Sequence, residues 1–195
     1  DVYPLPSIQE HLMALGKSNL FTTIDLLMGF HQCEISESSK PKTAFSGGPY
    51  GQLQFTRMPM GLTSSPGAFM RLVDSALRGL PPGIALAYLD DVIIATSGSM
   101  KEHMVDVGTV FDRLIEAGFT VRMDKVYVGK TEVPYLGFLI GAYGHKPNPD
   151  KLKALLDITQ NEFLRKPAMA ARFTGMVSYY SRFFPKLHTY LQPFH

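Results

Sequence analysis

The run GIALAYLDDVIIAT, residues 83–96, constrains the fold more than any other stretch of the chain. It is apolar and strand-forming on both sides of two adjacent carboxylates, Asp90 and Asp91. Two unit charges about 4 Å apart repel by roughly 4 kcal/mol at an effective dielectric near 20. The pair therefore needs a proton, a basic partner or a cation, and the run around it needs a sheet in which to bury itself. Ile84 to Leu89 and Val92 to Thr96 read as two strands, with both aspartates at the turn of a hairpin. Taken alone, the pair reads more readily as an acidic, solvent-exposed turn, because aspartate is common in turns.

The flanking elements define a fold class. Residues 19–26, NLFTTIDL, read as a short strand. Ser65 followed by Pro66 predicts a helix start, with the serine as N-cap. Phe69, Leu72, Val73, Ala76, Leu77 and Leu80 then share one face, opposite Arg71, Asp74 and Arg78. Pro81 to Gly83 is expected to end that helix. Ser99 and Glu102 form a capping-box pattern, and the helix they open carries Met104, Val107, Phe111, Leu114 and Ile115 on one side. Gly118 stops it, and Phe119 to Met123 reads as a fourth strand.

In sequence this is β-α-β-β-α-β. It predicts an α+β fold of ferredoxin-like (split βαβ) order, one antiparallel sheet with both helices on one face. Residues 30–63 are a long excursion with short strands at KTAF and GQLQF. Val133 to Ile140 reads as a further strand and GAYG as a turn. Asn148-Pro149 starts a helix with Leu152, Leu155 and Leu156 on one side, and a last helix is expected over 167–182. These C-terminal helices read as an appendage.

Composition narrows the function classes. The 195 residues suffice for one large domain or one with an appendage. A net charge of +2 permits a nucleic-acid partner without announcing one. Cys33 is the single cysteine, so no internal disulfide forms, and the six histidines show no ligand spacing with it for zinc. No nucleophile elbow marks a serine or cysteine hydrolase. No apolar run reaches transmembrane length, so no membrane partner is expected, and no targeting pattern sets a compartment. The opening DVYPLPSIQEHL, without an initiator methionine, leads us to expect a piece of a longer protein.

In the split βαβ order the first strand and the hairpin are sheet neighbours. Asp25, near the end of that strand, then comes beside Asp90 and Asp91, with no basic residue adjacent in sequence. Hard oxygen ligands in an acidic cluster favour magnesium or manganese, with open positions for phosphate oxygens. Such a site suits two-metal nucleotidyl or phosphoryl transfer.

Six blocks in register resemble the reverse transcriptases of gypsy-type LTR retrotransposons. YPLPSIQEHL and FTTIDLLMGFHQCEI resemble the lead-in and first catalytic motif. PKTAF, GQLQFTRMPMGLTSSPGAFMRLVD and AYLDDVII resemble the next three, and LIEAGFTVRMDKVYVGKTEVPYLGFLI with HKPNPDKLKALLD resembles the stretch leading into the thumb. The resemblance implies a polymerase palm (19–29 and 64–140), partial fingers (1–18 and 30–63) and the connection or start of the thumb (141–195). It implies an RNA-directed DNA polymerase core that uses two Mg2+ or Mn2+ ions, deoxynucleoside triphosphates and a primer-template with an RNA or DNA template strand.

Residue by residue, it assigns catalysis to Asp25, Asp90, Asp91 and Lys125, the lysine as general acid for the leaving pyrophosphate. It assigns the metals to Asp25, Asp90, Asp91 and the Leu26 carbonyl. Leu26, Met28, Gly29, Phe30 and Met60 fall at the nucleotide, with Phe30 excluding a 2′-hydroxyl. Met60 stands where many retroviral relatives have glutamine. Gly61, Pro66, Tyr88, Tyr135, Leu136 and Gly137 fall at the nucleic acid, the last three as a primer grip, and Lys151 and Lys153 would meet phosphates. A longer polyprotein with RNase H and integrase is implied, acting in a cytoplasmic particle or the nucleus. Two other classes share parts of this pattern. One is a decayed or domesticated descendant that binds nucleic acid or protein without catalysis, against which the three retained aspartates argue. The other is a palm-bearing cyclase, which would not need the template and primer-grip blocks.

Overall fold

The protein is described here by a computed structural model, for residues 3–156, 167–187 and 189. The chain divides into two compact units, residues 1–136 with 140–144 and residues 137–139 with 145–195. In chain order the elements of the first unit begin with α1 (Ile8–Ala14) and β1 (Leu20–Asp25). The two-residue strands β2 (Phe45–Ser46) and β3 (Gln52–Leu53) follow, then α2 (Ser65–Leu77), β4 (Ala85–Tyr88), β5 (Asp91–Thr96), α3 (Met100–Glu116) and β6 (Tyr127–Lys130). The strands β7 (Glu132–Tyr135), β8 (Phe138–Gly141) and β9 (Gly144–Pro147) come next, and the helices α4 (Pro149–Leu156) and α5 (Pro167–Tyr179) lie in the second unit.

Four strands form an antiparallel sheet in the order β4-β5-β1-β6, the ferredoxin-like order expected from the sequence. Four consecutive residues are buried in β1 and again in β5, so both faces of the sheet centre are covered. Ile24, Val92 and Ile94 pack with Phe69 and Val73 of α2 and with Val107, Val110 and Leu114 of α3. Phe21, Thr23 and Ile93, on the other face, are also buried. The outward run of β1 and β5 ends in Asp25 and Asp91, which therefore stand on the face away from α2 and α3.

Several boundaries differ from the sequence expectation. In α2 the N-cap position is Ser64, and Pro66 is the second helical residue. Ser65 is buried and donates its hydroxyl to the Pro59 carbonyl at 3.2 Å instead of capping. The helix ends a turn early because Gly79, at φ 86°, reverses the chain before Pro81. Met70 is buried and Leu72 turns outward. The capping box at Ser99 and Glu102 is present in α3, and Gly118 at φ 82° closes it. Its buried side is His103, Val107, Val110 and Leu114, with Met104 and Ile115 exposed. The rotation follows from His103, a polar residue whose Nε2 and Nδ1 each find a threonine hydroxyl at 2.7 Å, Thr22 of β1 and Thr96 of β5.

The fourth strand of the sheet is Tyr127–Lys130, not Phe119 to Met123. That earlier segment makes only the isolated bridge Leu26↔Val121 before a 3₁₀ turn at Met123–Lys125. β6 rejoins β1 through a bulge between Phe21↔Lys130 and Thr23↔Tyr127, and Gly129, at φ 59°, donates its N–H to the Thr22 hydroxyl. The expected strand Val133 to Ile140 is two strands, β7 and β8, separated by the left-handed residues Leu136 and Gly137. In the second unit Asn148 accepts the Asp150 N–H and opens α4. The side chains of Leu155 and Leu156 lie outside the described residues. α5 ends at Tyr179, three residues short of the expected 182, and a 3₁₀ turn at Ser181–Phe183 follows.

Candidate active site

The hairpin tip is shifted by one residue from its expected place. Tyr88 pairs with Asp91, so the turn is Leu89-Asp90 and Asp91 is the first residue of β5. Leu89 sits at φ 53°, a conformation that costs a branched side chain roughly 1–3 kcal/mol. Two contacts hold it. The Leu89 N–H donates to the Met70 sulfur at 3.0 Å, and the Leu26 N–H donates to the Asp90 carbonyl at 2.8 Å. That second bond identifies Asp25↔Asp91 as a pair without mutual backbone hydrogen bonds, the class in which cross-strand side chains come closest.

The charge at this end is answered from a distant part of the chain. Arg122 Nε lies 3.7 Å from Asp25 Oδ1, and Lys125 Nζ lies 3.4 Å from Asp25 Oδ2. The Arg122 N–H also donates to the Asp25 carbonyl at 2.8 Å. The pairing is tertiary, since Lys125 is 100 residues from its partner. Asp90 is half-buried, and burial pushes its carboxyl above the usual range, helped by the charge of Asp25. Its own backbone hydrogen bond opposes that rise. Asp91 is exposed. Among the described residues no three histidine, cysteine or carboxylate side chains are gathered to hold a metal ion.

Beyond β1 the chain turns back over Asp90. Met28 is left-handed at φ 52° and exposed, and a 3₁₀ turn at Gly29–Gln32 follows. A Cβ on Gly29 would lie 3.0 Å from Asp90 Cγ and 3.2 Å from Phe69 Cζ, so a larger residue would push the loop and the aspartate apart by a few tenths of an ångström. Phe30 meets Phe69 edge-to-face at 5.5 Å, and Phe69 meets Phe119 likewise at 5.9 Å. The structure thus pairs Asp25 with Asp91 across β1 and β5, ties Leu26 to Asp90, sets Lys125 on Asp25, and rests Gly29 on Asp90 with Phe30 against Phe69.

Other expected site residues lie elsewhere in the chain. Met60 and Gly61 are exposed on the loop before α2, and among the described residues neither is hydrogen-bonded to Asp25 or Asp90. Pro66 is in the first turn of α2. Tyr88 stands edge-on to His11 at 6.3 Å, and His11 stacks on Tyr135 with Nδ1 3.1 Å from its hydroxyl. Leu136 is left-handed at φ 46°. In the second unit the Gly137 carbonyl accepts the Tyr180 hydroxyl at 2.9 Å. Lys151 and Lys153 are exposed on α4. Sequence reasoning missed Arg122 and Met70, neither of which carries a local signal of its tertiary partner.

The chain is 39% identical to the retrovirus-related Pol polyprotein from transposon 297 of Drosophila melanogaster, over 99% of this chain and 18% of that protein. It is 38% identical to the Pol polyprotein from transposon gypsy of the same organism, over 94% of this chain and 17% of that one. The chain therefore spans less than a fifth of the length of these curated relatives. Among solved structures it matches a foamy viral protease-reverse transcriptase in complex with an RNA/DNA hybrid, with a TM-score of 0.87 at 27% identity. That match covers 100% of this chain and 26% of the other. The reverse transcriptase (RNA-dependent DNA polymerase) family matches residues 1–140, the stretch that carries the sheet, the carboxylate-tipped hairpin and both basic partners of Asp25. The chain belongs to the reverse transcriptase family.

Proposed function

We propose that this chain is the polymerising core of an RNA-directed DNA polymerase, extending a primer with deoxynucleotides. The observation that carries the proposal is the carboxylate group at the β1 and β5 ends, Asp25 opposite Asp91 beside the Asp90 turn, in a chain of this family. We take residues 19–29 and 64–140 as palm, 1–18 and 30–63 as partial fingers, and 141–195 as connection and start of the thumb.

The family depends on divalent metal. Magnesium is commonly held by one or two carboxylates plus substrate phosphates, rather than by an all-protein cage. Asp25 and Asp90 fit that habit, with hard oxygen donors and a half-buried carboxyl whose ionised form needs a positive neighbour. They would hold the two ions, Mg2+ or Mn2+, with the Leu26 carbonyl and Asp91 contributing. When bound, the ions supply activation of the primer hydroxyl and neutralisation of the pyrophosphate.

The remaining roles belong to the chain. Phe30, braced by Phe69, packs beneath the incoming sugar and leaves no room for a 2′-hydroxyl. Leu26, Met28, Gly29 and Met60 line the nucleotide. Lys125 Nζ gives a proton to the leaving pyrophosphate oxygen. Gly61, Pro66 and Tyr88 contact template and nascent pair, and Tyr135, Leu136 and Gly137 steady the primer end. The relatives are polyproteins, and this chain would act beside RNase H and integrase segments.

A second reading, a descendant that binds without catalysis, is favoured by one observation. Arg122 and Lys125 already neutralise Asp25. Primer extension on an RNA template with magnesium or manganese separates the two, with Asp90→Asn as control. Extension by the chain and its loss in the control is the expected result. No extension, together with a melting temperature that added metal does not raise, would favour the binding-only descendant.

A further inference from the structure

Gln32 has no role in the site as described, yet its side-chain amide is built into the end of the sheet. The Leu27 N–H donates to the Thr120 carbonyl at 2.9 Å, which is one half of an antiparallel rung. The other half is not a direct bond. The Thr120 N–H donates to Gln32 Oε1 at 2.6 Å, and Gln32 Nε2 donates to the Leu27 carbonyl and, at 3.1 Å, to the Thr120 carbonyl. The amide is a wedge set into the rung. Its orientation follows from its neighbours, since the flipped amide would face an NH2 to an N–H and an oxygen to two carbonyls.

The wedge separates the two segments that converge on Asp25. On one side it fixes the loop of Met28, Gly29 and Phe30, with Gly29 on Asp90 and Phe30 on Phe69. On the other it fixes Thr120, two residues before Arg122, whose N–H and guanidinium both reach Asp25. A glutamine that merely closed a loop would need one bond to one segment. This one donates to both segments and accepts from one of them, where β1 stops and the site begins.

We infer that Gln32 is a positioning residue of the polymerase centre, whose amide wedge sets the 28–30 loop and the Arg122–Lys125 segment at their distances from Asp25. The inference rests on the proposed polymerase function. Glutamate is the informative substitution. In Gln32→Glu the carboxylate keeps the acceptor for Thr120 N–H but turns an oxygen on two carbonyls, and protonation restores the donor. Gln32→Met keeps the length and removes both functions at every pH.

The test measures amide hydrogen exchange and nucleotide KM for the chain and both variants between pH 5.5 and 8. In Gln32→Met, exchange at Leu27 and Thr120 should rise about tenfold or more, with the α2 and β5 amides unchanged. Nucleotide KM should rise about tenfold, by more than kcat falls. Gln32→Glu should match Gln32→Met at pH 8 and approach the parent chain at pH 5.5, each compared with the parent at the same pH. Unchanged protection in Gln32→Met, a uniform rise through the whole sheet, or a pH-independent Gln32→Glu overturns the inference. A parent chain that extends no primer counts against the polymerase function instead, and the exchange pattern still decides the wedge.

Discussion

The β4–β5 and β7–β8 hairpins each turn on two residues that begin with leucine, and they solve the same problem in opposite ways. At the second tip, Leu136 at φ 46° is followed by Gly137 at φ 79°. Two consecutive positive φ values match the twist of the flanking strands, and glycine takes one of them without steric cost. At the first tip, Leu89 at φ 53° is followed by Asp90, and the help comes from outside the turn, from the Met70 sulfur and the Leu26 N–H. A glycine in place of Asp90 would delete the carboxylate that the turn presents. Leucine is left-handed at both tips, so the difference lies in the second turn residue: a left-handed glycine at one, a carboxylate that needs no positive φ at the other.

The two tips differ most at Asp90 and Gly137. Asp90→Asn should lower primer extension by at least about 10³-fold, the scale of losing a main centre of transition-state charge stabilisation, with an unchanged circular dichroism spectrum. Activity within tenfold of the parent chain would remove the catalytic reading of this tip. The contrasting variant is Gly137→Ala. A Cβ there lies 2.9 Å from the Tyr180 hydroxyl at a φ that L residues avoid, so a loss of about 1–3 kcal/mol is expected in urea unfolding. An unchanged midpoint would show that the second tip does not depend on its glycine.

Met70→Leu sharpens the claim that the first tip is supported from outside. It nearly conserves volume but removes the sulfur acceptor of the Leu89 N–H. Extension should fall by about tenfold, with only a small change in melting temperature, because the loss is confined to the turn. A large drop in melting temperature would mean that Met70 serves the core and not the tip.

The smallest effect concerns pH. Folding raises the Asp90 pKa, so the folded state favours the protonated carboxyl. Its stabilising contribution is present below the ordinary aspartate range near 3.9 and is lost as pH rises through the elevated value. Asp90→Asn should therefore melt slightly higher than the parent chain at pH 7, by less than about 4 °C, with the difference shrinking toward pH 4. A difference that grows on acidification would reverse the assigned direction.

The parts of the fold that were legible in the sequence are those set by neighbours a few residues apart. Ser99 and Glu102 form their capping box because both partners lie within one helical turn. The strand and helix order followed from local periodicity, and the sheet order followed from it. The failures share a cause. His103 was passed over because a histidine looks polar until two threonine hydroxyls from other strands satisfy it. Phe119 to Met123 has strand-like composition, but the 3₁₀ turn that follows and the bulge at Gly129 assign the edge position to Tyr127–Lys130.

Apolar runs must pair and bury whatever they carry, so residues 83–96 and 19–26 already require two carboxylates on a buried hairpin beside a third at the end of the first strand. Tertiary structure decided how that charge is answered. Arg122 and Lys125 reach Asp25, Asp90 keeps part of its burden as a raised pKa, and the Gln32 amide sets the spacing between them. Propensity acts over a few residues of chain. Neutralising a charge or satisfying a buried hydrogen bond requires atoms a few ångströms apart in space, and here those atoms come from positions up to 100 residues apart.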